Sequence, residues 1–136
     1  MARSHRMRRL VSSVAGILGV VTVPAIAAQD TKPATPVTVV ASDYQFTPTK
    51  LSFKAGVTYR LRIENHGKEL HEFNAPAFFK SAELGDAAVL NADRTEIAVH
   101  PGEAKELVFT PKRAGDYRLI CPDHDWAGMI GRITIE

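Results

Sequence analysis

The sequence predicts an all-β domain of about eight short strands, arranged as a two-sheet sandwich or a Greek-key barrel. The clearest strand lies at residues 57–64, where apolar residues occupy every odd position and polar residues every even position. This alternation is typical of a strand with one buried face. Turn-forming pairs separate the strand signals at short intervals, namely Ala55-Gly56, His66-Gly67, Pro101-Gly102 and Ala114-Gly115.

The other strands follow in chain order, each as a short apolar or β-branched segment bounded by turn residues. They are predicted at residues 37–41, 51–54, 70–75, 96–99, 105–110, 116–121 and 129–136. Residues 76–94 interrupt this pattern, and residues 78–84 within them predict a short helix or a packed loop.

The amino-terminal residues predict an export signal that is not part of the fold. Residues 1–27 carry four arginines followed by an apolar stretch, and small residues at positions 25 and 27 match the pattern that signal peptidases cut. Polar residues interrupt the stretch too often to predict stable membrane insertion. We therefore expect a periplasmic protein with a signal peptide at 1–27, a flexible segment at 28–36 and one domain at 37–136.

The charge of the exported chain limits its possible partners. Cleavage after residue 27 removes four of the 17 basic residues and leaves 13 against 15 acidic ones, a net charge of −2. A nucleic-acid-binding protein needs a clustered basic surface, so we expect no nucleic acid partner. No paired-carboxylate, Ser-His-Asp or glycine-rich phosphate motif stands out in the sequence either.

Cys121 is the single cysteine of the chain. An unpaired thiol in an oxidising compartment has to be buried, paired between chains or bound to something. Cys121 ends a predicted strand and begins a connection to Met129 that is longer than the usual hairpin loop of about 2–5 residues. His124 lies on the same connection.

The donors on this loop differ in softness, and their combination points to copper. A thiolate, two imidazoles and a distant thioether form the ligand set of a blue-copper centre. Structural zinc normally takes four strong Cys or His ligands, so zinc does not account for Met129. The alternative interpretation is that Met129 is a core residue and Cys121 an inert buried thiol.

A blue-copper centre needs a second histidine from outside the loop. His71 lies near the start of the strand predicted at residues 70–75, after a turn, so we expect it near a sheet end that faces the loop. His66 lies in the turn itself and is the second choice, and His100 directly precedes a Pro-Gly turn, so both are expected in solvent. The sequence therefore favours His71.

The pattern Cys121-x-x-His124-x-x-x-x-Met129, followed by a closing strand, resembles the ligand loop of the small cupredoxins, notably plastocyanin and pseudoazurin. The approach to the methionine through residues 126–128 is also similar to that of plastocyanin. The resemblance extends over residues 37–136. Upstream, the family shares the order of an Asn, a Gly and a His after a strand, matched here by Asn65, Gly67 and His71.

The resemblance implies an eight-stranded Greek-key sandwich with one type 1 copper ion held by His71, Cys121, His124 and Met129. It implies a monomer that shuttles single electrons between redox partners such as a cytochrome or a copper oxidoreductase. It also implies that the backbone N–H of Glu72 donates to the cysteine sulfur. Multicopper enzymes need further copper centres and His-x-His clusters, which this sequence lacks, so we expect no enzyme activity.

The sequence departs from the family near the expected site. Glu72 stands where many members carry an Asn that ties two loops together. Asp123 and Asp125 flank His124, where the family usually presents an apolar patch, and they predict an acidic docking rim for a basic partner. The alternative is that both acids are solvated loop residues. Trp126 is expected to cover the site or contact a partner, or else to pack the loop onto the domain.

Two other functions are compatible with the sequence. One is a copper-binding protein for copper buffering, delivery or tolerance. Delivery favours exposed Met-rich or His-rich stretches, and Met129 is the only methionine after the predicted signal peptide. The other is a β-sandwich interaction module without metal, which requires the thiol and the imidazoles to lie far apart.

Overall fold

The computed structural model describes residues 33–136. The predicted signal peptide at 1–27 lies outside the described residues and stays a prediction. The first strand begins at Thr35, within the predicted flexible segment 28–36. Within the described part of the chain, no helix is long and apolar enough to cross a membrane.

The described residues form ten strands, one α-helix and two single-turn 3-10 helices. The strands are β1 Thr35–Ser42, β2 Gln45–Thr47, β3 Lys50–Phe53, β4 Tyr59–Asn65, β5 His71–Asn74, β6 Ala82–Leu84, β7 Glu96–Val99, β8 Ala104–Pro111, β9 Gly115–Ile120 and β10 Ile130–Ile135. The helices are α1 Pro76–Ser81 and the 3-10 turns Ala87–Val89 and Asp125–Ala127.

Two five-stranded sheets pack face to face, in the orders β2-β1-β4-β8-β6 and β3-β10-β9-β5-β7. Most neighbouring strands are not consecutive in sequence, as Greek-key connections require. The predicted alternation is realised in β4, whose odd-numbered residues are buried while the even-numbered ones are exposed or half-buried. The predicted two-sheet sandwich is confirmed. Its interior is filled by Phe46, Phe53, Phe73, Phe78 and Phe109, all fully buried.

The structure has ten strands where the sequence predicts eight. Each of the eight predicted segments forms a strand, and β2 and β6 are the additional ones. Both have only three residues and lie at the two edges of the first sheet. Three residues are too few to establish a period-2 pattern, so the sequence does not predict these two strands. Residues 78–84 predict a short helix or a packed loop; residues 78–81 lie in the helix α1, whereas residues 82–84 form the strand β6 instead.

The strand pairing positions the 121–129 loop next to β5. Asn74, the last residue of β5, pairs with Ile120, the last residue of β9, and the two strands are antiparallel. The start of β5 therefore extends past the end of β9 and lies beside the loop that follows it. Residues at the start of β5 and in this loop come together at one end of the sandwich.

Candidate metal centre

Three buried donors meet where the start of β5 borders the loop. His71, Cys121 and His124 each contribute one possible ligand atom, and these atoms lie within 4.8 Å of one another. Cys121 Sγ is 3.4 Å from His124 Nδ1 and 4.0 Å from His71 Nδ1. The structure therefore brings these three predicted ligands together.

Met129 is fully buried and is joined to the cluster through the backbone. The N–H of Cys121 donates to the Met129 carbonyl at 3.1 Å, and the N–H of Met129 donates to the His124 carbonyl at 3.2 Å. The N–H of His124 donates to the Cys121 carbonyl at 3.0 Å. Gly128 completes the turn at φ 90°, a conformation that glycine adopts at little cost. These contacts fix the spacing of the three donors on the loop.

Two groups of Glu72 lie close to the Cys121 sulfur. The Glu72 N–H lies 3.5 Å from Sγ and donates to it, as the resemblance predicts, and the Glu72 Oε2 atom lies 3.7 Å away. Burial raises the pKa of the Cys121 thiol, and the Glu72 N–H partly opposes this. Burial also raises the pKa of Glu72, with the charge of Asp123 adding to the effect. A bound cation would supply the positive charge that stabilises the thiolate here.

The surroundings of His71 suit a metal-bound imidazole. The residue is 1% exposed. Burial lowers the pKa of His71, the charge of His124 lowers it further, and Asp43 opposes both. A neutral imidazole keeps a lone pair available for a metal. Among residues 33–136, His71 Nε2 is a buried side-chain nitrogen without a hydrogen-bond partner, and Asp43 Oδ1 lies 3.6 Å from it.

Residues from two turns lie beside the cluster, and among them only Gly67 is indicated by the sequence, through the family resemblance. Glu69 Oε2 lies 2.7 Å from His124 Nε2. A Cβ added at Gly67 would overlap Asp43 and lie 2.7 Å from His71 Nε2. These residues belong to the β1–β2 and β4–β5 connections, which are distant from the loop in sequence. No spacing pattern links Asp43 and Glu69 to the loop, so only the strand pairing reveals their contact with the cluster.

Tyr44 and Trp126 form an exposed aromatic pair at the same end. Their ring centroids are 6.0 Å apart, and the Tyr44 ring is 5.1 Å from the His124 ring. Trp126 is 77% exposed and Tyr44 42% exposed. The Trp126 indole N–H donates to the Asp123 carbonyl at 2.8 Å. This exposure favours the predicted covering or partner-contacting role for Trp126 over packing against the domain.

The other two predicted candidates are exposed, as the sequence indicates. His66 Nε2 lies 2.9 Å from Glu64 Oε2, and the backbone of His100 donates to Glu103. Neither histidine joins the donor cluster. Within the part of the chain that the structure describes, His71 is the second histidine of the cluster.

A buried thiol, two imidazoles and a methionine at one end of a two-sheet sandwich define a blue copper protein, and the donor set fits one copper ion. A family model described as a cupredoxin-like domain matches residues 14–135. The chain belongs to the cupredoxin family, which confirms the predicted resemblance. Its cofactor is one copper ion.

Two relatives are named copper-resistant cuproprotein CopI. The protein from Pseudomonas aeruginosa is 28% identical over 158 aligned positions, covering 83% of this chain and 81% of its own. The protein from Rubrivivax gelatinosus is 31% identical over 108 positions, covering 74% of this chain and 66% of its own. Among solved structures, auracyanin B is 27% identical with a TM-score of 0.56, covering 77% of this chain and 91% of its own.

Proposed function

We propose that this protein is a periplasmic type 1 copper protein that carries single electrons between redox partners. The proposed copper ligands are His71, Cys121, His124 and Met129. The supporting observation is the buried grouping of two imidazole Nδ1 atoms around the Cys121 sulfur, at 3.4 and 4.0 Å. Copper held by this donor set supplies one-electron chemistry between its two oxidation states.

An electron carrier needs a site that moves little when its charge changes. His71 is the first residue of β5, and Cys121 directly follows β9. Backbone hydrogen bonds close the loop that carries His124 and Met129. Donors held on rigid elements keep their positions, so an electron can enter or leave without large rearrangement.

The exposed aromatic end is the proposed docking surface for a partner. The rings of Trp126 and Tyr44 are exposed there, and aromatic rings attract cationic side chains. Asp123, Asp125 and Asp43 place negative charge nearby, which speeds the approach of a positively charged protein. A basic redox protein, such as a cytochrome or a copper oxidoreductase, has the matching chemistry. The protein acts as a monomer in this role.

A second candidate function is copper buffering, delivery or tolerance. Similarity to two proteins named copper-resistant cuproproteins favours it. Burial of all four proposed ligands disfavours rapid delivery of the metal. Export to the periplasm is proposed for either function, and it rests on the predicted signal peptide.

Addition of Cu(II) to the purified domain, residues 28–136, tests the metal centre. We expect an intense visible band from thiolate-to-copper charge transfer, and we expect Cys121→Ser to abolish it. Absence of the band from the unsubstituted domain, or its survival in Cys121→Ser, would reject the proposed ligand set.

Reduction potential and copper retention separate the two candidate functions. An electron carrier should show a reversible one-electron couple and should keep Cu(I) in the presence of a weak chelator. Rapid transfer of Cu(I) to the chelator would instead support copper handling. Electron exchange with a basic cytochrome should slow as salt is added, whereas a flat profile would contradict electrostatic docking.

A further inference from the structure

We propose that Glu69 is a positioning residue for the copper centre. Its carboxylate holds a proton on Nε2 of His124, so that the Nδ1 lone pair points toward the Cys121 sulfur. Its negative charge also increases the electron donation of that imidazole to the metal. Glu69 thereby favours Cu(II) over Cu(I) and lowers the reduction potential. This inference rests on the proposed ligand set.

The hydrogen bond between Glu69 and His124 determines the tautomer of the imidazole. Glu69 Oε2 lies 2.7 Å from His124 Nε2, within the range of a charge-assisted hydrogen bond. A neutral imidazole has one N–H donor and one acceptor nitrogen, whereas an ionised carboxylate only accepts. For a neutral imidazole bonded to such a carboxylate, the proposal places the proton on Nε2. The unprotonated nitrogen is Nδ1, which faces Cys121 Sγ at 3.4 Å.

The backbone of Glu69 is anchored, and its exposed carboxylate is held by the bond to His124. Asn65 Nδ2 donates to the Glu69 carbonyl at 2.7 Å and to the Val99 carbonyl at 2.8 Å. Asn65 Oδ1 accepts the N–H of Gly67 at 2.8 Å, and Asn65 itself is 1% exposed. The turn before β5 is thus tied to both sheets. Its fixed backbone presents the carboxylate to His124.

The two proposed histidine ligands differ in the contacts of their Nε2 atoms. His71 Nε2 makes no hydrogen bond among the described residues, and its nearest carboxylate, Asp43 Oδ1, lies 3.6 Å away. His124 Nε2 is bonded to Glu69, and its ring is covered by Tyr44 at a centroid distance of 5.1 Å. A hydrogen-bonded carboxylate therefore increases electron donation to the metal mainly through His124.

The expected consequence is a larger change in Cu(II) affinity than in Cu(I) affinity. Loss of a partner that hydrogen-bonds a metal-bound histidine typically costs about 10–100-fold in metal affinity. A nearby negative charge stabilises a doubly charged ion more than a singly charged one. Removing the charge should therefore weaken Cu(II) binding selectively.

Two variants separate the charge of Glu69 from its hydrogen bond. Glu69→Gln keeps an acceptor oxygen and removes the charge, while Glu69→Ala removes both. The matched control is Glu64→Gln, because Glu64 Oε2 lies 2.9 Å from Nε2 of the exposed His66, outside the donor cluster. Glu69 is 55% exposed and Glu64→Gln changes no side-chain shape, so we expect all three variants to fold, and thermal unfolding of the metal-free proteins verifies this.

Chelator competition and voltammetry give the copper readout. We expect Cu(II) affinity to fall about tenfold in Glu69→Gln and up to about 100-fold in Glu69→Ala, with a smaller change for Cu(I). A tenfold loss confined to Cu(II) corresponds to a rise of about 59 mV in reduction potential. Glu64→Gln should leave both affinities unchanged. Equal Cu(II) affinity and potential in Glu69→Gln and the unsubstituted protein would overturn the proposal.

Nitrogen NMR of the metal-free protein tests the positioning role without copper. We expect the Nε2–H tautomer of His124 in the unsubstituted protein and in Glu69→Gln, and mixed tautomers in Glu69→Ala. A folded Glu69→Ala variant with a single Nε2–H tautomer would overturn the positioning role. If the unsubstituted protein bound no copper, the proposed function would fail, and the tautomer result would still decide whether Glu69 orients His124.

Discussion

The residues around the candidate copper position form two layers, which the chain builds in different ways. The inner cluster consists of His71, Cys121, His124 and Met129, and every member is buried. The outer layer consists of Asp43, Tyr44, Glu69 and Trp126, and every member is exposed. The inner cluster comes from a strand and one loop of the second sheet, whereas most of the outer layer comes from turns that other strands bring to the same end.

This difference indicates that the two layers have different functions. Buried donors are costly to disturb, because removing one leaves other buried groups unsatisfied. Exposed residues usually change stability little when substituted. The inner cluster is therefore suited to holding the metal. The outer layer can adjust the potential and the choice of partner without unfolding the domain.

The largest effect is expected from His71→Ala, which removes one donor of the inner cluster. Only 1% of His71 is exposed, and its Nδ1 atom faces the Cys121 sulfur at 4.0 Å. We expect complete loss of the visible charge-transfer band. The matched control is His66→Ala, whose histidine is exposed and should leave the band unchanged. A band lost in His66→Ala and kept in His71→Ala would reverse the assignment of the second histidine.

Asn65→Ala should have the next largest effect, because Asn65 ties the turn that carries Glu69 to the second sheet. Its amide is the donor for the carbonyls of Glu69 and Val99. Leaving one buried and one partly buried acceptor unsatisfied should lower the free energy of unfolding by about 2–4 kcal/mol. We also expect a shifted copper spectrum, because the turn that carries Glu69 loses its anchor. Thermal unfolding and visible spectroscopy measure these two changes.

The control for Asn65→Ala is Asn91→Ala. Asn91 Oδ1 accepts the N–H of Thr95 at 2.8 Å, and neither residue belongs to the two layers. This variant should lose stability and keep the copper spectrum of the unsubstituted protein. If Asn65→Ala and Asn91→Ala gave the same copper spectrum, Asn65 would stabilise the fold without affecting the copper centre.

A smaller effect is expected from Gly67→Ala, which inserts a methyl group between the layers. The new Cβ would overlap Asp43 and lie 2.7 Å from His71 Nε2. Asp43 is exposed and can move, so we expect a loss of about 1–2 kcal/mol in the free energy of unfolding. Displacement of the His71 ring should also shift the visible band. Gly85→Ala is the control, because its Cβ would lie 3.1 Å from the Val108 carbonyl, in the first sheet.

The inner cluster could be predicted from the sequence, but Trp126 is the one member of the outer layer that could be. Cys121, His124 and Met129 lie within nine residues, and their chemical types identify the metal. An acid such as Glu69 before a strand looks the same in sequence as any solvated acid. Tyr44 lies next to β2, which is too short to be recognised by periodicity. Both outer contacts depend on strand pairing across the domain, which local patterns do not encode.

The smallest effect on the protein itself is expected from Trp126→Ala. Because the side chain is 77% exposed, the free energy of unfolding should change by less than about 0.5 kcal/mol, and the visible band should stay the same. Electron exchange with a ruthenium hexaammine cation should slow by about two- to fivefold, equivalent to the loss of about 0.5–1 kcal/mol of cation–π attraction. Trp126→Phe keeps a ring and should retain most of the rate. An unchanged rate in Trp126→Ala would mean that the cation approaches elsewhere, and the outer layer would then act on the copper centre without serving as its docking surface.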